Sequence, residues 1–205
     1  MKIALLDYGA GNVTSVERAL RHLGAEPLRC DSPESLANAD AIVLPGVGHY
    51  SALIRALDEQ NLRAPLVEAL HRGVPFLGIC LGLQALYKSS EEAPQLQGLH
   101  LLPGRVCALP SSVKLPHMGW NQLQVRRPTR LLENISPSVF FYFAHSYAVA
   151  EGNGEAVALC HHGSDFAAVI DHKNIHAVQF HPEKSGEAGA RLLQNFLALA
   201  AAANS

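Results

Sequence analysis

The sequence predicts an α/β fold: a mostly parallel central sheet flanked by helices, with antiparallel strands added to it. Two observations carry this expectation. Up to Cys80, short apolar runs of strand length alternate with segments of helical spacing, and glycine-containing turns follow the runs. From about Gly98 the pattern changes to a series of short strand-like segments separated by turn residues, as in antiparallel additions or a meander.

Lys2–Asp7 (KIALLD) predicts a short buried strand. NVTSVERALRHLG follows, with Val13, Val16, Leu20 and Leu23 near helical spacing, Asn12 as a candidate N-cap and Gly24 as the stop. A second strand over Ala41–Gly46 (AIVLPG) leads into the glycine-rich loop PGVGHY. Next come a helical stretch around LRAPLVEALHRG and the strand Pro75–Ile79 (PFLGI). Beyond Gly98 the strand-like segments are GRVCAL, NQLQV, SVFFYFAHSY, EAVALCHH, FAAVID and IHAVQF. SGEAGARLLQNFLALAAAA closes the chain as a helix, frayed at its end. No repeat or linker interrupts the pattern, so residues 1–205 read as one domain.

Composition narrows the function classes. Hydrophobic residues make up 48% and charged residues 17%, below the roughly 25% of an average globular chain. That low charge fits a surface reserved for a partner, and equally a well-buried compact domain. A net charge of −2 gives no basic footprint for nucleic acid. MKIALLDYG is too short an apolar run for a signal-peptide core, and no stretch has the length of a membrane span. Cys30, Cys80, Cys107 and Cys160 have no CxxC spacing, so neither a zinc site nor a disulfide framework is expected; a reducing cytoplasm fits best.

The stretch VPFLGICLGLQAL sets Cys80 after a buried strand and before a helix-like segment, with Gly78 and Gly82 two residues to either side. This is the strand–turn–helix context of a nucleophile elbow, in which flanking glycines let a strained turn come close to strand and helix. The following helix points its first amides at the sulfur and favours thiolate. A structural cysteine is the alternative for this motif taken alone. A nucleophile needs a base, and the base needs an orienting group. Among eleven histidines, His181 in AVQFHPE ends an apolar strand and has Glu183 two residues on. Strands of a parallel sheet end on one edge, so His181 can meet Cys80 there. The PGVG loop (Pro45–Gly48) opens on the same edge and offers amides for an oxyanion hole; an ordinary glycine turn is its bland alternative. DYGAGN has Thr14 where a dinucleotide loop has its third glycine, and is not one.

GICLGLQAL, PGVG and QFHPEKSG give a chain that resembles the class I (triad) glutamine amidotransferases. DYGAGNVTSVERAL, LPHMGWNQL and FYFAHSY bring it nearer to one branch, the glutaminase subunits of imidazole glycerol phosphate synthase in histidine biosynthesis. The resemblance spans about Leu5 to Gly186. It implies Cys80 as nucleophile, His181 as base and Glu183 as its orienting group, acting through a glutamyl thioester. Gln84, Gly48 and the backbone around His145, Ser146 and Tyr147 are implied as substrate contacts, and Gly46 and Val47 as the loop that sets the oxyanion hole. The family docks on a separate (β/α)8-barrel cyclase and passes ammonia to it, with Asn12, Trp120 and Lys184 near the interface. Read as ordinary structure, those three are a helix cap, a core aromatic and a solvated charge.

No cofactor or metal is implied. The chain departs from the family pattern at His49 and Tyr50 after the loop, and at Leu83 where methionine is frequent; His49 bears on the loop's flexibility. Three other readings remain: a related glutaminase serving another synthase, a cysteine-elbow protein of another type, and a non-catalytic regulatory subunit.

Overall fold

A computed structural model describes residues 1–9, 12–150 and 155–204; Ala10 and Gly11 of the DYGAGN motif lie outside the described residues. The first half runs β1 (Ile3–Leu6), α1 (Val13–His22), β2 (Pro27–Cys30), α2 (Pro33–Ala37), β3 (Ala41–Leu44), α3 (Tyr50–Glu59), α4 (Arg63–His71), β4 (Phe76–Ile79) and α5 (Leu81–Gln84). The second half runs β5 (Val106–Ala108), β6 (His117–Gln122), β7 (Gln124–Val125), β8 (Phe140–His145), β9 (Tyr147–Val149), β10 (Ala156–His161), β11 (Asp165–His172), β12 (Ile175–Val178) and α6 (Gly186–Ala203).

The main sheet has the order β2-β1-β3-β4-β12-β11-β10-β7. Its first five strands are mutually parallel, and β11, β10 and β7 extend it antiparallel. β5 pairs with β9 and β6 with β8 in two small ribbons. This is the α/β architecture that the change of pattern near Gly98 predicts.

Both faces of the sheet are covered, and strand alternation divides the core accordingly. Ala4, Leu6, Ile42, Leu44 and Phe76 join Leu36, Leu53, Leu57 and Leu66 from α2, α3 and α4. Ile3, Leu5, Val43, Leu77 and Ile79 face the other way, onto Val16 and Leu20 of α1 and Leu192 and Phe196 of α6. Each fully buried aliphatic or aromatic side chain contributes roughly 1.5–3 kcal/mol. Gly24 takes φ 81° just beyond α1, as a helix stop requires.

Four elements differ from the sequence reading, the short helix α2 (Pro33–Ala37) being one that it did not contain. β2 was unread because PLRC opens on proline and buries only its two ends, so it shows neither alternation nor an apolar run. Tyr50, Leu53, Ile54 and Leu57 give α3 a helical stripe that the reading passed over. The strand expected over NQLQV begins earlier, at His117, so PHMGWN is itself mostly strand. Among the described residues no helix is long and apolar enough to cross a membrane.

Two glycines hold the site-bearing turn. A Cβ on Gly82 would overlap the Leu44 carbonyl oxygen, and one on Gly78 would lie 2.7 Å from the Gly82 carbonyl group. Gly82→Ala should therefore destabilise the fold by about 1–3 kcal/mol, the range for overpacking a close contact. Urea unfolding of the two proteins checks this, and equal midpoints would contradict the contact.

Candidate active site

Cys80 is the residue between β4 and α5. Its backbone takes φ 54° and ψ −104°, a conformation that costs about 1–3 kcal/mol and persists only where surrounding structure enforces it. Here the enforcement is the close approach of Gly78, Gly82 and Leu44, together with the bond from Cys80 N–H to Val178 O at 2.8 Å. The side chain is buried, 4% exposed, and its sulfur lies 3.5 Å from Gln179 Nε2.

β12 runs parallel beside β4 with Val178 opposite Ile79, so the residues after both strands leave the sheet side by side. That register delivers His181 to Cys80. The His181 backbone is then tied to β8. Its N–H donates to Tyr142 O at 2.8 Å, and Ser185 Oγ donates to His181 O at 2.7 Å while accepting from Tyr142 N–H at 3.0 Å. Glu183 Oε1 lies 2.9 Å from His181 Nδ1, which assigns the Nδ1 proton and leaves Nε2 for the thiol. Both side chains are essentially inaccessible, at 1% and 0%.

Burial alone pulls the His181 pKa down. Hydrogen bonds to Cys80 and Glu183, with the charges of both, more than reverse this and carry it up to about 10. Glu183 is held below the ordinary carboxylate value: burial raises it, but His181 and the Asn12 amide outweigh burial. Asn12 corrects the sequence reading. It occupies the N-cap position of α1 yet makes no side-chain cap bond. Its Nδ2 donates instead to Glu183 Oε1 at 2.7 Å, and it is 5% exposed.

A cavity of about 290 Å³ opens beside the sulfur, lined by Val47, Gly48, Cys80, Leu81, Gln84, Glu92, Ala144, His145, Ser146, Tyr147, His181 and Lys184. It is a small space, suited to a single amino acid. The expected substrate contacts Gln84, Gly48, His145, Ser146 and Tyr147 all border it. Gln84 is nearly inaccessible, and its Nε2 donates to Tyr147 O at 2.8 Å and Gln179 Oε1 at 3.1 Å. Gly46 does not border the cavity; it packs against Leu81, which a Cβ on Gly46 would run into. A larger groove of about 660 Å³ runs along α1 and the start of α6 behind Glu183, away from the thiol.

His145 is buried and neutral, its pKa pushed down to about 3 chiefly by desolvation. Its Nδ1 donates to Tyr147 O at 2.9 Å and its Nε2 accepts from His117 Nδ1 at 3.1 Å, which sets both tautomers. Trp120 is not core. It is 56% exposed on the outer face of the β6–β8 ribbon, edge-on to Tyr142, with Met118 65% and Phe140 50% exposed nearby. Lys184 Nζ sits 5.8 Å from the Tyr142 ring centre, on the same side. His49 caps α3, accepting from Ser51 N–H at 3.1 Å, and does not line the cavity.

Sequence reasoning missed Gln179 and His117. Gln179 had a signal, a fully buried polar residue within the apolar AVQF. His117 had none, because its partner His145 lies on a different strand.

Residues 4–200 match the family described as glutamine amidotransferase class-I. A chain from Methanothermobacter thermautotrophicus, "Imidazole glycerol phosphate synthase subunit HisH", is 48% identical, covering 95% of this chain and 97% of that one. A HisH subunit from Desulfitobacterium hafniense is 46% identical over 95% of this chain and 92% of its own. Among solved structures, a glutamine amidotransferase superposes with a TM-score of 0.77 at 22% identity, covering 97% and 98% of the two chains. PurLQS from Thermotoga maritima reaches 0.73 at 20% identity, covering 97% and 98%. At those identities the two structures speak for the fold alone.

The raised pKa has a testable sign. A charged His181 contributes stability fully below pH 6.5, its ordinary value, and the contribution is lost as pH rises through about 10. The imidazole resonances of His181 should titrate near the upper value in the native chain. They should move to lower pH in Cys80→Ala, which removes the leading upward influence; an unmoved titration would contradict the contact.

Proposed function

The chain belongs to the class I glutamine amidotransferases and, within them, to the HisH subunits of imidazole glycerol phosphate synthase, and on that premise we propose that it hydrolyses glutamine through Cys80, His181 and Glu183 and hands the ammonia to a cyclase partner. The observation that carries this reading is that Cys80 and His181 border one cavity of amino-acid size, with Glu183 bonded to His181 from behind.

His181 holds the thiol proton, which leaves sulfur free to attack the side-chain carbonyl carbon of glutamine. The tetrahedral oxyanion takes its hydrogen bonds from Leu81 N–H, the residue after the nucleophile, and from an amide of the Gly46–Val47 loop. His181 passes its proton to the leaving nitrogen, the carbon–nitrogen bond breaks, and ammonia departs from a glutamyl thioester. Water then attacks the thioester with His181 as base, releasing glutamate and restoring the thiol. Glu183 keeps the imidazole in the tautomer this needs, and Asn12 keeps Glu183 in place. Gln84, Gly48 and the His145–Tyr147 backbone hold the amino-acid end of the substrate.

The partner is a separate (β/α)8-barrel cyclase, seated on the face that exposes Met118, Trp120, Phe140 and Lys184. An apolar cluster at that exposure, beside one lysine, is a surface that a partner covers. The ammonia then has a short dry path instead of bulk water.

Three outcomes follow. Cys80→Ala should abolish glutamate release from glutamine while leaving the complex with the cyclase intact, as read by size exclusion; residual hydrolysis would assign the nucleophile elsewhere. Trp120→Ala should weaken that complex on the order of tenfold or more, the cost of losing a central aromatic anchor; calorimetry checks it, and an unchanged affinity would move the interface. The native pair should release glutamate faster when the cyclase carries its phosphoribosyl substrate. Hydrolysis that ignores the cyclase would point to a different synthase.

A further inference from the structure

Tyr8 has no place in the roles assigned above, yet it makes a contact that the proposed chemistry has to break. Its phenol oxygen accepts a hydrogen bond from Val47 N–H at 3.1 Å. Val47 borders the cavity beside Cys80. An N–H carries one proton, and an amide well directed at Tyr8 is unavailable to an oxyanion in that cavity. We propose that Tyr8 is a positioning residue that holds the Val47 amide in a resting orientation, so that oxyanion stabilisation requires release of this hydrogen bond. The inference rests on the glutaminase reading and deepens it by naming what holds the loop.

The Tyr8 end of the contact is the fixed one. Asp7 N–H donates to Cys30 O at 2.9 Å, carrying the β1–β2 pairing one residue further. Gly9 N–H folds back to Asp7 Oδ1 at 3.0 Å, and Arg29 pairs with Asp7 at 3.2 Å. The Tyr8 ring is 8% exposed and belongs to the buried cluster that also holds Leu44 and Tyr50. Desolvation raises the hydroxyl's pKa well above its ordinary value, so it stays a neutral phenol that can accept from Val47.

The Val47 end can turn. Turning the Gly46–Val47 peptide changes ψ of Gly46, where no Cβ opposes it, together with φ of Val47. On the far side Gly48 takes φ 89°, and a Cβ there would meet nothing within 4 Å.

Tyr8→Phe removes the hydroxyl and keeps the ring. Without the cyclase, its glutamate release should exceed that of the native chain by about three- to tenfold, the population shift that one ordinary hydrogen bond supports. The gain should appear in kcat and not in KM. With the substrate-loaded cyclase present, the two proteins should run at the same rate. The γ-aldehyde analogue of glutamine forms a tetrahedral thiohemiacetal with a cysteine, and should bind more tightly to Tyr8→Phe by the same factor. Alkylation by iodoacetamide develops no oxyanion and should be unchanged; a purely structural tyrosine would not separate the two reagents. A basal rate and an aldehyde affinity no higher than native overturn the latch while an active native complex keeps the glutaminase reading. A native complex that releases no glutamate overturns both. If Tyr8→Phe does not fold, amide exchange in the native chain decides. Val47 N–H exchanging about tenfold or more slowly than the exposed Gly48 supports the latch, and equal exchange overturns it.

Discussion

At Cys80 the backbone combines φ 54° with ψ −104°, a pair that an L-residue adopts only under constraint, and the constraint is the meeting of three segments without intervening side chains. Gly78 ends in contact with the Gly82 backbone, Gly82 touches the Leu44 carbonyl, and Gly46 fits under Leu81. A methyl group at any of these positions would push the turn apart. Because they close on one another, the sulfur is fixed at the carboxyl edge of the sheet, where the neighbouring strand β12 also ends. Every other feature of the site is positioned relative to that turn.

The second half of the chain builds the opposite wall. His181 is fixed twice, through its backbone to Tyr142 and Ser185 and through its ring to Glu183. The serine of HPEKSG thus ties the imidazole's backbone to the β6–β8 ribbon, whose outer face exposes Trp120. A buried base, its carboxylate and an exposed aromatic surface are joined through one short turn. The same ribbon supplies His117 and His145, two neutral histidines that brace the Tyr147 carbonyl against the cavity.

Local features were legible in the sequence. The glycine pair around Cys80, the apolar run before His181 and the change from helix-alternating to strand-rich pattern each have a physical reading within about ten residues. In the structure Cys80 and His181 follow the neighbouring parallel strands β4 and β12 at the carboxyl edge of the sheet. β2 escaped because an edge strand with Pro27 first and Leu28 and Arg29 exposed has no apolar signature. Asn12 was legible as a cap, since caps are local, but its side chain spans 171 positions to Glu183. His117 and Tyr8 owe their places to residues far away in the chain, and no periodicity encodes such pairs. The family resemblance supplied residue roles that spacing alone left open; it did not supply the tautomers or the contact between Tyr8 and Val47, which depend on groups far apart in the chain.

The central claim is that the strained turn makes Cys80 the nucleophile. Acid quenching of the cyclase complex during glutamine turnover, followed by peptide mass mapping, addresses it directly. A glutamyl adduct confined to the peptide that carries Cys80, and absent from those carrying Cys30, Cys107 and Cys160, is the expected result. An adduct on another residue, or hydrolysis with no covalent intermediate under conditions where the thioester survives, would contradict it.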